Sequence, residues 1–223
     1  MGIECPLMRK TGAGNLYRCG RTRLLLAHPS PISSMPKPTD FLSSARKQFA
    51  YYKLLGEQAL SQVSDVQLHW QPSAESNSLA TIVQHLSGNM LSRWTNFLTT
   101  DGEKPWRARE AEFDHLPRPR AAVLAEWEAG WQCIFAALDG LAEADLARTI
   151  YIRNQGHSVT EAINRQLAHY PYHVGQMVFL ARLAAGAAWQ SLSIPRGSSA
   201  AYNAEKFAQP PHQEHFTDEK LGR

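Results

Sequence analysis

An all-α fold, a four-helix bundle, is what the sequence predicts, on three observations. Four long segments repeat apolar residues at three- and four-residue spacing, most of them carry capping or stop signals, and only one short stretch favours strand. At 223 residues, 43% hydrophobic and 19% charged, the chain has the size and composition of one ordinary domain with tails. No apolar run approaches the roughly 18 residues that a membrane span requires.

Residues 1–38 have no hydrophobic period and read as a disordered or over-extended N-terminal tail, although an Arg-rich, acid-poor start also suits a targeting segment. The helical domain is expected over 39–208, with a flexible C-terminal tail over 209–223. The first helix is capped by Thr39 or Asp40 and carries Phe41, Ala45, Phe49, Tyr52, Leu55, Ala59 and Val63. A Pro- and Ser-containing loop, Trp70 to Asn77, precedes the second helix, which Asn77 or Ser78 caps and which runs from Leu79 through Met90 and Trp94 to Leu98 before Asp101-Gly102 ends it. Glu103 to Pro119, with three prolines and alternating charge, reads as a surface loop. The third helix, Arg120 to Leu141, lines up Val123, Trp127, Trp131, Ile134 and Leu138 and stops at Gly140.

Thr149 to Ile152 is β-prone and is followed by Asn154-Gln155-Gly156, which predicts a short extended turn before the fourth helix. Ser158 and Glu161 have capping-box spacing, so that helix runs from Val159 to Ala185 and ends at Gly186. Pro171 lies inside it and is expected to kink or bulge it, because proline removes one backbone bond and crowds the carbonyl four residues back. The connections on either side of the third helix are long enough to permit crossovers, and pattern alone leaves the topology open.

Charge and cysteine content narrow the function classes. The formal net charge is +3, but Met1 to Ser34 holds five basic residues against one acid, which leaves about −1 for the remainder. A near-neutral body has no general electrostatic reason to hold nucleic acid. The three cysteines, Cys5, Cys19 and Cys133, form no C-x-x-C and no disulfide framework, which points to a reducing, cytoplasmic setting.

The chemistry is expected from histidines. His169 and His173 stand four residues apart on the fourth helix, about 40° apart around its axis, so both imidazoles can address one ion. Tyr170 occupies the place where H-E-x-x-H would have its glutamate, so no general base of that type is present. His85 sits among apolar neighbours on the second helix and alone reads as a core histidine. If the two helices face each other, however, three inward imidazoles are costly without a partner, and a divalent ion satisfies all three. Three neutral nitrogens with positions left for water or substrate is the layout of a catalytic site. Asn89, Arg93, Gln166 and Gln176 share these stripes and are candidates to orient the imidazoles or hold an anionic substrate group. His157, at the start of the fourth helix, is a further candidate ligand.

His85-Leu86-Ser87-Gly88-Asn89 together with H-x-x-x-H at 169–173 resembles the DinB-like superfamily of metal-dependent four-helix-bundle enzymes, which includes relatives of bacillithiol and mycothiol transferases. The likeness covers roughly residues 39–205, and the strings Ser87 to Trp94, Ile163 to His169 and Leu192 to Pro195 look specific to one branch within it. The resemblance implies an up-down-down-up bundle and a divalent ion, zinc, nickel or iron, on His85, His169 and His173.

The expected function is that of a metal-dependent transferase or hydrolase in which the ion activates water or a low-molecular-weight thiol. Its partner is a small-molecule substrate, with neither nucleic acid nor membrane involved; a homodimer is allowed. The competing expectation is a metal-free helical interaction module with a buried polar network.

Overall fold

The computed structural model describes residues 40–222, so the expectations for the N-terminal tail lie outside the described residues. The described part is mostly helical. Its helices are α1 (Phe41–Ser61), α2 (Asp65–Leu68), α3 (Leu79–Trp94), α4 (Arg120–Asp139), α5 (Val159–Ala185), α6 (Ser199–Phe207) and α7 (Asp218–Leu221), and one hairpin joins β1 (Thr149–Ile152) to β2 (Gln155–Ser158). No helix among the described residues is long and apolar enough to cross a membrane.

Local chemistry fixes the helix starts. Asp40 accepts the Ser43 N–H at 2.6 Å, Ser78 accepts that of Thr81 at 3.1 Å, and Ser158 and Glu161 form a reciprocal capping box at the head of α5. Such caps each stabilise a helix by about 1 kcal/mol. Gly140 and Gly186 follow the last residues of α4 and α5.

Packing then pairs the long helices. α3 lies chiefly against α4 and α1 against α5, while α3 also meets α5 and α1 meets α4. The α3–α4 approach is close at Gly130, where a Cβ would come within 3.0 Å of both the Ser87 Cα and the Met90 sulfur. All four helices converge on Tyr170. Its ring lies 5.8 Å from Phe49 of α1 and 5.9 Å from Trp131 of α4, and its hydroxyl accepts the Trp94 indole N–H at 3.0 Å and donates to Asn89 Oδ1 at 3.2 Å. Burial of each such aromatic contributes about 1.5–3 kcal/mol.

The hairpin is antiparallel, with Ile152 opposite Gln155 and a two-residue turn at Arg153 and Asn154, both at positive φ (55° and 61°). An arginine is strained in that region. Asp101 offsets the strain: its carboxylate accepts the backbone N–H groups of Arg153 and Asn154 at 2.8 Å each, and that of Glu103 at 2.7 Å. The Gly102 N–H donates to the Tyr151 carbonyl at 2.8 Å, so the chain leaving α3 is tied to the hairpin.

Several expectations need correction. The second long helix stops at Trp94 rather than Leu98: Thr95 turns extended (ψ 118°) and Asn96 follows at φ 49°, which asparagine tolerates and most residues do not. Phe97 stays buried even so, 5.1 Å from the Trp94 ring. The 103–119 stretch is not merely a surface loop: Lys104 and Glu112 are buried, and residues Glu110–Phe113 form a 3-10 turn. α2 was not expected, and its start is set by a Ser64–Gln67 capping box. α5 stays α-helical through Pro171, so the expected bulge between the histidines does not form. Residues beyond 208, expected as a flexible tail, touch α1: Lys47 pairs with Asp218 at 2.7 Å, the His215 ring lies 3.1 Å from the Ser44 hydroxyl, and Thr217 is fully buried.

Candidate metal centre

α3 and α5 bring His85, His169 and His173 together. One nitrogen of each lies within 4.8 Å of the others, and the ring centroids are 4.8–5.6 Å apart. His85 is buried, and the two α5 rings are half-buried at the wall of a cavity of about 380 Å³.

The other face of each ring is engaged by an oxygen. His85 Nδ1 donates to Glu112 Oε2 at 2.9 Å, His169 Nδ1 to Gln166 Oε1 at 3.1 Å, and His173 Nδ1 to Gln176 Oε1 at 2.8 Å. Because these oxygens only accept, each Nδ1 carries a proton, and Nε2 is the nitrogen of each ring left to bind an ion. The α5 pair is built symmetrically in sequence: one glutamine three residues before its histidine, the other three after, both one turn away.

Electrostatics keep the two α5 rings uncharged. Burial, followed by the neighbouring His173 and His85 rings, pushes the His169 pKa down to about 3, and burial also lowers that of His173 against the opposing Gln176 bond. Burial raises the Glu112 carboxyl, but hydrogen bonds from His85 and Arg107 outweigh it and leave the pKa below the usual carboxylate range. Arg107 grips that carboxylate with two bonds, Nε to Oε1 at 2.7 Å and Nη2 to Oε2 at 2.9 Å. Glu112 reaches His85 only because residue 88 is glycine: a Cβ there would lie 2.9 Å from the carboxyl carbon and nearer still to Oε1.

The structure thus tests whether the residues suit a divalent ion. His85, His169 and His173 each bring one ring nitrogen to a small common region while Nδ1 of each is engaged by an oxygen, and such a group of imidazoles could hold a metal ion.

Of the residues expected around the imidazoles, Asn89, Arg93, Gln166 and Gln176 lie there. Asn89, Arg93 and Gln166 line the cavity, with Gln176 behind His173. Arg93 does not extend to solvent; it is buried and donates to the Gly102 carbonyl and, at 3.2 Å, to Glu103. His157 is the exception. The capping box begins α5 at Val159, so His157 sits on β2 opposite Ile150, while His169 lies about 15 Å further along the helix. Glu112 and Arg107 were not foreseen, nor was Phe113, whose ring lies 5.1 Å from that of His85.

The fold and the cluster define a class: a mostly helical protein in which two long helices bring three histidines to one cavity. The chain belongs to the family described as "Protein of unknown function (DUF1572)", whose model matches residues 37–198 and so takes in all three histidines. Comparison with curated proteins and with solved structures finds no match.

Proposed function

We propose that this chain is a DinB-like four-helix bundle of up-down-down-up order, and that His85, His169 and His173 hold a divalent ion at the centre of a small-molecule transferase or hydrolase. The observation that carries this reading is the engagement of all three Nδ1 atoms by Glu112, Gln166 and Gln176 in rings that gather one nitrogen each within 4.8 Å of the others, which leaves each Nε2 available to an ion. The resemblance in residues 39–205 and the pairing of α1 with α5 and α3 with α4 support the bundle.

A bound ion supplies Lewis acidity, which lowers the pKa of water or of a thiol at its open positions. The chain's residues do the rest. Glu112, itself clamped by Arg107, and the two glutamines fix tautomer and ring orientation. Asn89 gives its Oδ1 to Tyr170 and lines the cavity, so its amide N–H groups are placed to donate to a reactant's oxygen. Phe113 covers one side of His85 and excludes water there. Among the described residues the cavity lining includes no carboxylate to take a proton, which favours a thiol as the nucleophile, because a thiol starts near pKa 8.5 and water near 15.7. The cavity volume fits a small molecule rather than a polymer.

Elemental analysis of the purified protein should find one zinc, nickel or iron per chain, and a His85→Ala, His169→Ala, His173→Ala triple variant should lose it while keeping its helical circular dichroism. A screen of small thiols against electrophiles should then find turnover that needs the ion. Protein without stoichiometric metal, whose melting temperature moves neither with chelator nor with added zinc, nickel or iron(II), would defeat the reading.

A further inference from the structure

The cavity beside the imidazoles is lined by five arginines from four segments: Arg93 of α3, Arg107 and Arg109 of the 103–119 connection, Arg153 of the hairpin turn and Arg165 of α5. They do not reflect a basic protein, since the sequence after residue 34 carries a net charge of about −1. Guanidinium groups so gathered repel one another unless anions answer them. Two carboxylates do so in part. Glu112 takes both bonds of Arg107, and Glu103 is shared by Arg93 and Arg153, at 3.2 and 3.0 Å.

Those contacts divide the five by role. The Arg107 and Arg93 side chains are 2% and 7% exposed and are spent on holding Glu112 and the Gly102 carbonyl. The other three line the cavity at exposed positions. Arg153 is 60% exposed and set in place by the Asp101 clamp on its turn. Arg109 is 46% exposed, lies over the Phe113 ring at 5.4 Å, and among the described residues pairs with the solvent-facing Glu110 beside it. Arg165, one turn before His169, is exposed and has no carboxylate partner among the described residues.

We propose that the cavity selects a small molecule bearing a carboxylate or phosphate group, seated by Arg109, Arg153 and Arg165 with its reactive end towards His85, His169 and His173. The direction of that reactive end rests on the function proposed above; the anion seat does not. A guanidinium offers a planar fork of N–H donors that matches both oxyanions, and three of them from separate segments fix orientation as well as charge. A nucleic acid would need a basic stripe extending beyond the cavity, and the near-neutral body provides no surplus for one.

The test is isothermal titration of the full-length protein, metal-loaded and metal-free, with succinate, inorganic phosphate and the uncharged dimethyl succinate, the metal content of each sample being measured first. Succinate or phosphate should bind saturably and the diester should not. R153Q and R165Q, both at exposed positions, should each weaken that binding about tenfold at unchanged metal content, whereas R196Q, away from the cavity, should leave it unaltered. Failure of both anions to bind, equal binding of the diester, or anion affinity unchanged in R153Q and R165Q would overturn the proposal. A short oligonucleotide displacing succinate at lower concentration than phosphate would also overturn it. Protein that takes up no metal yet shows the arginine-dependent binding would sink the metal reading and leave the anion seat standing.

Discussion

His85 donates from Nδ1 to a Glu112 carboxylate 27 residues further along the chain, at 2.9 Å, and Arg107 holds that carboxylate from the other side. Glu112→Ala should therefore lower zinc affinity about 10–100-fold, because the His85 ring loses both its orientation and its fixed tautomer. Competition against a chromophoric chelator reads this directly; affinity equal to that of the parent would mean that the carboxylate serves folding alone.

Gly88→Ala tests the same contact from the other side. The new Cβ meets a carboxyl group that His85 and Arg107 both restrain, so it cannot simply swing away. The expected cost is about 1–3 kcal/mol, seen as a lower urea midpoint, with a parallel drop in zinc affinity.

Tyr170→Phe removes the acceptor of the Trp94 indole N–H and the donor to Asn89, all within the core. Leaving two buried polar groups unmatched should cost about 1–3 kcal/mol in chemical denaturation. A value near zero would show that the two groups find water or each other.

The metal-free protein should lose stability as pH falls below about 6.5. His169 has its pKa pushed from 6.5 to about 3 in the folded chain, so between those values the unfolded chain binds the extra proton and the folded one does not. The stability is fully present above 6.5 and is lost progressively as pH falls towards 3, with His173 adding in the same direction. Urea midpoints of chelator-treated protein from pH 7.5 to 4 should show this slope, and His169→Gln should flatten it.

The long helices were legible in the sequence because their signals are local: Asp40, Ser78 and the Ser158–Glu161 box at the starts, Gly140 and Gly186 at the ends. The histidine pair on α5 was legible for the same reason, since four residues fix both angle and rise. Glu112 was not, because it reaches His85 through space from a connection with no hydrophobic period. Its one trace is Gly88, a glycine in the middle of a helix, which costs about 1 kcal/mol against alanine and so marks a close approach. The contacts of His215, Phe216 and Asp218 with α1 left no trace either, as polar and Pro-rich sequence reads alike whether docked or free.

The three backbone bonds accepted by Asp101 have a kinetic meaning. They fasten the start of the 103–119 connection to the turn that carries Arg153, so two walls of the cavity form one brace rather than a flap. Arrival at the imidazoles is then governed by diffusion and by the charge of the entrant, and rapid-mixing traces should show a single concentration-dependent phase with no slow isomerisation ahead of it.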